Sequence, residues 1–312
     1  MIHVYCCGDN NVDIYEHQQV AYPGGCCVNA AASIARTGNK VTFVSTVGND
    51  RLGRLLVESL SNLGVDVSRV HIIDHQTSWC KVNLVNGERV FGDGDRGAKK
   101  VNPISAEDVK KGQTGEFDII YLSTDGFFTE DAWKQFGMSD IPAVCDFTNR
   151  WDIEKLRKNK DIFKYYYMSM DGHTEDEAHQ ILKQCVHEFG AKLVVGTMGM
   201  NGSLVYNGRR FYRQRAFFVE PLDTLGAGDT FLSTFTASYF DGLKFLKANA
   251  GKCGWDESSD YYRECEDKLI EKSLSTAALA SAGNCMNYGG FGGGIPFDES
   301  MISRTKPEDI VT

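Results

Sequence analysis

Asp223-Thr224-Leu225-Gly226-Ala227-Gly228-Asp229-Thr230-Phe231 runs straight into a helical pattern over residues 232–239. Two glycines around an alanine at a helix start let successive backbone N–H groups turn outward into one concavity. The helix behind adds about half a positive charge at its N-terminus, so the loop reads as an anion hole suited to a phosphoryl group in transit. Asp229 falls in the first turn beside that anion, where a carboxylate can take the proton of an attacking hydroxyl. A plainer alternative is a tight glycine loop with a favourable charge in the first turn. A dinucleotide-binding turn fits poorly, because Phe231 stands where the third glycine belongs and the string lies far from the first strand. No Gly-x-x-x-x-Gly-Lys-Ser/Thr string occurs, which also disfavours a P-loop.

Upstream, short apolar or β-branched runs at 41–45, 119–122, 143–147, 165–168 and 193–197 read as buried strands. Helical spacing fills the gaps at 27–36, 51–63, 105–111, 129–136 and 175–189. The alternation predicts an α/β protein with a mainly parallel sheet covered by helices on both faces. Residues 81–91 break the rhythm by alternating polar and apolar side chains around Asn86-Gly87, a hairpin signal. The spacing predicts a small β lid built from about 12–23 and 78–98. Residues 244–268 read as a charged surface insertion between two helices, and the Gly289-to-Gly294 run as a flexible loop. No repeat or long linker divides the chain, so residues 1–312 are expected to form a single domain.

With 312 residues, 42% of them hydrophobic, the chain can bury a large core. A formal net charge of −9 argues against nucleic-acid or anionic-membrane partners, which need clustered positive charge. The start shows no signal-peptide pattern, and no apolar run is long enough to span a bilayer, so a cytoplasmic location is expected. The ten cysteines are scattered through a long chain, and Cys6-Cys7 and Cys26-Cys27 lack the Cys-x-x-Cys spacing of zinc or redox sites.

The Asp223–Asp229 string resembles the C-terminal signature of the ribokinase-like, or PfkB, carbohydrate kinases. Gly24-Gly25-Cys26-Cys27-Val28-Asn29 resembles that family's glycine pair and asparagine, although Cys26-Cys27 is an unusual filling. Val47-Gly48-Asn49-Asp50-Arg51-Leu52-Gly53 and Thr197-Met198-Gly199-Met200-Asn201-Gly202-Ser203 are similar to two further family segments in the same order. The resemblance implies a three-layer α/β/α ribokinase-like fold with a β-sheet lid, and phosphorylation of a primary hydroxyl by ATP. It makes Asp229 the base and the N–H groups of Gly226, Ala227 and Gly228 the anion hole. Asp9, Asp13, Gly24, Gly25 and Asn29 would contact the substrate, and Thr197, Gly199, Gly202, Thr224 and Asn284 the nucleotide. Asp13 can instead be a strand-end turn residue, Asn29 a helix cap, and the Thr197–Gly202 stretch a hairpin turn.

The family's Asn-x-x-Glu segment is matched only by Ser169-Met170-Asp171-Gly172-His173-Thr174-Glu175, without the asparagine. Glu175 then takes the acidic role toward Mg2+ through bound water, or is simply a helix-start carboxylate. The resemblance also admits a monovalent cation such as K+ and a homodimer through the lid. Within the family, Gly8-Asp9-Asn10-Asn11-Val12-Asp13-Ile14-Tyr15 and Arg89-Val90-Phe91-Gly92-Asp93 look most like bacterial members that phosphorylate fructoselysine. Such a substrate needs charged groups near the lid, which Arg89 and Asp93 can supply unless they are solvated hairpin charges. Fructose, other sugars and nucleosides are the alternative substrates. A catalytically silent sugar or nucleotide sensor and a nicotinamide-dependent oxidoreductase are the alternatives in kind.

Overall fold

The first strand, β1 (His3–Cys7), sends Val4 and Cys6 into one hydrophobic cluster and Tyr5 into another with Cys7, and all four are fully buried. A strand apolar on both faces needs cover on both sides, as in a parallel sheet between helical layers. The computed structural model describes residues 1–85 and 88–311, with backbone alone at 84, 85, 88, 89 and 307, and has that architecture.

Among the described residues, the further strands of the first half are β2 (Asn11–Tyr15), β3 (Val20–Gly24), β4 (Lys40–Val44), β5 (Thr46–Gly48), β6 (His71–Ile73), β7 (Trp79–Val85), β8 (Glu88–Asp95), β9 (Ile119–Ser123) and β10 (Ala143–Asp146). Then come β11 (Tyr165–Ser169), β12 (Leu193–Thr197), β13 (Ser203–Tyr206), β14 (Phe211–Gln214), β15 (Ile295–Pro296) and β16 (Ile310–Val311). The helices are α1 (Cys26–Arg36), α2 (Arg51–Ser61), α3 (Gly97–Val101), α4 (Ala106–Gly112), α5 (Glu130–Gln135), α6 (Ile153–Lys158), α7 (Glu175–His187), α8 (Ala227–Cys253) and α9 (Asp260–Asn284).

The main sheet has the order β14-β13-β12-β11-β10-β9-β1-β4; its pairs from β4 to β12 are parallel, and β13 and β14 extend it as an antiparallel hairpin. Apolar residues of α1, α2, α8 and α9 join the cluster on one face, and those of α4, α5, α6 and α7 the cluster on the other. From β1 the chain runs to β4 on one side and later to β9 on the other. The carboxyl ends of β1 and β9 therefore flank a switch point, the crevice where sheets of this kind bind ligands.

The lid is a second sheet in the order β15-β3-β2-β7-β8-β16. Strands β7 and β8 pair antiparallel with Val85 opposite Glu88, while the expected turn at Asn86-Gly87 lies outside the described residues. The C-terminal segment supplies β15 and β16, each two residues long and too short to show alternation in sequence. They pair with β3 at Val20 and Ala21 and with β8 at Gly94 and Asp95.

Two expectations need correction. Residues 244–268 are not an irregular insertion: α8 continues to Cys253 and α9 starts at Asp260, and charges such as Lys268 and Glu264, 2.7 Å apart, line a helix surface. The glycine-rich run is anchored rather than loose, since Gly289, Gly290 and Phe291 are buried and the Gly289 N–H donates to Asp223 at 2.9 Å. Among the described residues no helix is long and apolar enough to cross a membrane.

Candidate active site

The decisive turn is held in shape from three sides. Asp223 accepts hydrogen bonds from the Leu225 N–H (2.9 Å), the Gly289 N–H (2.9 Å) and the Tyr15 hydroxyl of the lid (2.5 Å). Asn284 Nδ2 donates to the Leu225 carbonyl at 2.9 Å, and Ser281 Oγ to the Ala227 carbonyl at 2.9 Å. Gly226, the residue before α8, has φ 71°, and a Cβ there would sit 2.6 Å from the Gly290 carbonyl oxygen. Ala227 N–H turns back to the Thr224 carbonyl at 3.3 Å, whereas the amides of Gly226 and Gly228 meet no protein acceptor among the described residues. The Ala227 amide is thus committed within the turn, which leaves those of Gly226 and Gly228 as the candidates for holding an anion. Asp223→Ala is expected to strand the buried Gly289 N–H and free the part-buried Leu225 N–H, lowering stability by about 2 kcal/mol, measured by urea unfolding.

Asp229 is half-buried and opens on a cavity of roughly 450 Å3 beneath the lid. Burial pushes its carboxyl up to about 6, the hydrogen bond from Asn29 Nδ2 at 2.7 Å opposes this, and the Asp9 charge adds to it. A carboxylate poised there is charged at neutral pH yet still able to accept a proton. Asn29 lines the same cavity, and its amide orients the Asp229 carboxylate. The Cys26 thiol, in the same wall, is pushed up by burial and then by the Asp229 charge, so it remains protonated beside that carboxylate.

Asp13 lines the cavity from β2, accepts from Asn11 Nδ2 at 2.8 Å, and is raised to about 7 by burial, with Asn11 opposing and Asp229 adding. Gly24 does not line the cavity; it makes room for Asp13, whose Oδ2 would lie 2.1 Å from a Cβ at 24. Gly25 does line it, with φ 100° and the Asn10 backbone 2.8 Å from where a Cβ would stand. Asp9 faces the cavity too, but both its oxygens are bound by the Cys26 and Cys27 N–H groups at 3.0 and 3.1 Å. It is the acidic cap of α1 that Gly25, lacking a side chain, cannot provide.

Asp93 is exposed and outside the cavity wall, and the Arg89 side chain lies outside the described residues. Charges that sequence reasoning missed take their place. Asp125, just past β9, pairs with Arg150 at 3.2 Å, and burial followed by the Asp9 charge raises its carboxyl. Lys99 is buried, donates from Nζ to the Asn10 carbonyl at 2.5 Å, and is held below the usual lysine range by burial. Asp95 and Arg96 complete the wall. A search of every strand's carboxyl end would have found Asp125, but the adjacent Lys99-Lys100 looks like a solvated pair until the fold buries Lys99.

A second cavity, roughly 440 Å3, lies on the other side of the turn and is lined by Thr197, Gly199, Gly202, Thr224, Ala227, Gly228 and apolar residues including Phe217 and Ala282. The Thr197–Gly202 stretch also makes the connection between β12 and β13, as the hairpin-turn reading has it. Asn284 lines neither cavity; it holds the turn through the carbonyl of Leu225, which lines the lid cavity. Glu175 is placed away from both cavities: it sits exposed in the first turn of α7, with Arg213 Nε 3.6 Å away. Asp171, four residues earlier, is the carboxylate that faces the second cavity. Among the described residues no three His, Cys, Asp or Glu side chains converge on a metal position.

Comparison with known proteins finds relatives over most of the chain. A family model described as pfkB family carbohydrate kinase matches residues 1–149 and 146–250. The fructoselysine 6-kinase of Shigella flexneri is 32% identical over 243 residues, covering 78% of this chain and 91% of that protein. The fructosamine kinase FrlD of Bacillus subtilis is 26% identical over 292 residues, covering 93% of each. The fold is shared with a fructokinase from Vibrio cholerae O395, solved with fructose, ADP and a potassium ion, at TM-score 0.70 and 20% identity over 98% of this chain and 99% of that one. A match spanning most of the chain, on a sheet, lid and turn of this kind, establishes that the chain belongs to the pfkB family of carbohydrate kinases.

Proposed function

We propose that the chain transfers the γ-phosphoryl group of ATP to the primary hydroxyl of an amine-bearing ketose, a fructosamine such as fructoselysine, giving the 6-phosphate and ADP. One observation carries the reading: two cavities share the turn at residues 224–229, Asp229 facing one and Gly228 the other. In-line transfer needs acceptor and donor on opposite sides of one phosphorus. The acceptor hydroxyl gives its proton to Asp229 as its oxygen bonds to the γ-phosphorus, and the β–γ bridging oxygen departs with ADP. The Gly226 and Gly228 amides receive the charge that builds up between them. Asp13, Asn29 and the backbone at Gly25 hold sugar hydroxyls, while Thr197, Gly199, Gly202 and Thr224 border the nucleotide. Mg2+ on the phosphates supplies counter-charge.

The names of the Shigella and Bacillus relatives support the fructosamine half of the proposal. The potassium ion of the Vibrio fructokinase supports a monovalent cation, which exchange of KCl for NaCl would test. An ATP-driven reaction of this kind suits the cytoplasm.

ADP release with ATP and Mg2+ across fructosyl-lysine, fructose, ribose and nucleosides is the test. Turnover of a fructosamine above the others is expected; release independent of any acceptor would contradict the reading. The pH profile follows from the two raised carboxyls, Asp229 near 6 and Asp13 near 7. Lowering the pH protonates them and removes the base, so kcat/KM should fall through an acid limb spanning about pH 7 to 6 and level off above. In Asp13→Asn the limb should reduce to one titration near 6.

A further inference from the structure

The lid cavity is more acidic than a neutral sugar requires. Its wall carries Asp9, Asp13, Asp95, Asp125 and Asp229 against Arg96, Lys99 and Arg150. Most of these charges are committed within the protein. Asp9 holds the α1 amides, Asp13 the Asn11 amide, Asp125 the Arg150 guanidinium and Asp229 the Asn29 amide, while Lys99 donates to a backbone carbonyl.

Asp95 differs. At the end of β8 it is only 4% exposed, and its Oδ1 accepts from the Gly97 N–H at 2.7 Å. Its Oδ2 is buried and has no hydrogen-bond partner among the described residues. Leaving a buried carboxylate oxygen unpaired is costly, and the cost is recovered when an incoming donor fills the place. A sugar hydroxyl brings one hydrogen bond and no charge. A secondary ammonium brings two N–H donors and a positive charge that offsets the surplus of carboxylates. The amine and the hydroxyl to be phosphorylated lie at opposite ends of a ketosamine. Asp95 and Asp229 likewise stand on different walls, one on the lid and one at the start of α8.

We propose that Asp95 sets substrate class, its Oδ2 accepting the charged N–H of the amine in an amine-linked ketose. The assignment rests on the kinase reading above and names the group that selects within it. The test is kcat/KM for fructosyl-lysine and for fructose in wild type, Asp95→Asn and Asp95→Ser, with thermal unfolding to follow the fold of each variant. Both variants should lose about 10²-fold on fructosyl-lysine and at most about 10-fold on fructose, collapsing the preference. Independently of any variant, wild type should use a 1-O-alkyl fructose, a neutral ether of similar shape, about 10²-fold less well than the amine. Equal losses on both substrates, a preserved amine preference, or parity between ether and amine overturns the role of Asp95 and leaves the kinase reading standing. Wild type that phosphorylates fructose but not fructosyl-lysine overturns both the role of Asp95 and the fructosamine half of the proposed function.

Discussion

Asp229→Asn is expected to lower turnover by about 10²–10⁴-fold while changing ATP affinity little, the pattern for losing a positioned base. The substitution keeps size and shape, so the contact to Asn29 Nδ2 at 2.7 Å can persist through the amide oxygen. It removes the only thing an amide cannot do, which is to take the proton. It also deletes a charge that raises the neighbouring Asp13 and Asp146 carboxyls, so folding stability should hold or rise. Steady-state kcat together with nucleotide titration calorimetry separates the two effects; near-normal turnover would rule out Asp229 as the base.

Gly226→Ala should be the most damaging change outside that carboxylate, with kcat down by at least about 10²-fold and a clear loss of stability. At φ 71° an alanine pays a backbone cost of about 1–2 kcal/mol. Its Cβ would also stand 2.6 Å from the Gly290 oxygen and 2.8 Å from the Gly290 Cα, both backbone atoms that no rotamer change can clear. The turn must therefore move away from the 289–291 segment, carrying the anion-hole amides with it. Misplacing such donors by about 1 Å typically costs 10²-fold or more. Gly228→Ala is the matched control: its Cβ meets nothing within 4 Å, so thermal unfolding should match wild type. Wild-type turnover in Gly226→Ala would mean that the turn does not bind the migrating group.

The layered core was legible because the central strands are apolar on both faces and the helices between them keep regular spacing. Tyr5, Cys7, Val4 and Cys6 show this within one strand. Asp13, Gly25, Asn29 and the 224–229 turn were also legible, since each sits in a short string whose residue types carry their own geometric reason. What escaped depends on sheet order. Asp125 and Lys99 come beside Asp9 only because β9 lies next to β1 and α3 follows the lid, and no local pattern records either fact.

In a regular strand Asp93 and Asp95 would share one face, but the pairing with β7 slips between Cys80 and Val82, so Gly92 and Asp93 bulge opposite Lys81, and Asp93 is exposed while Asp95 is buried. Glu175 was a reasonable candidate in sequence. A capping box at Thr174 and Glu177 nevertheless starts α7 there, fixing Glu175 on the helix surface and leaving Asp171 in the loop that reaches the cavity. The charged 244–268 stretch misled for the opposite reason, because charges four residues apart stabilise a helix as readily as they solvate a loop.

The central claim is that phosphate passes from one cavity to the other across the start of α8. A crystal structure with ADP, aluminium fluoride, Mg2+ and the ketose that gives turnover tests it most directly. The account predicts the fluoride-bound aluminium within hydrogen-bonding reach of the Gly226 and Gly228 amides, with the acceptor oxygen between it and the Asp229 carboxylate. Nucleotide bound with its terminal phosphate away from that turn, or a sugar hydroxyl presented to any group other than Asp229, would contradict it.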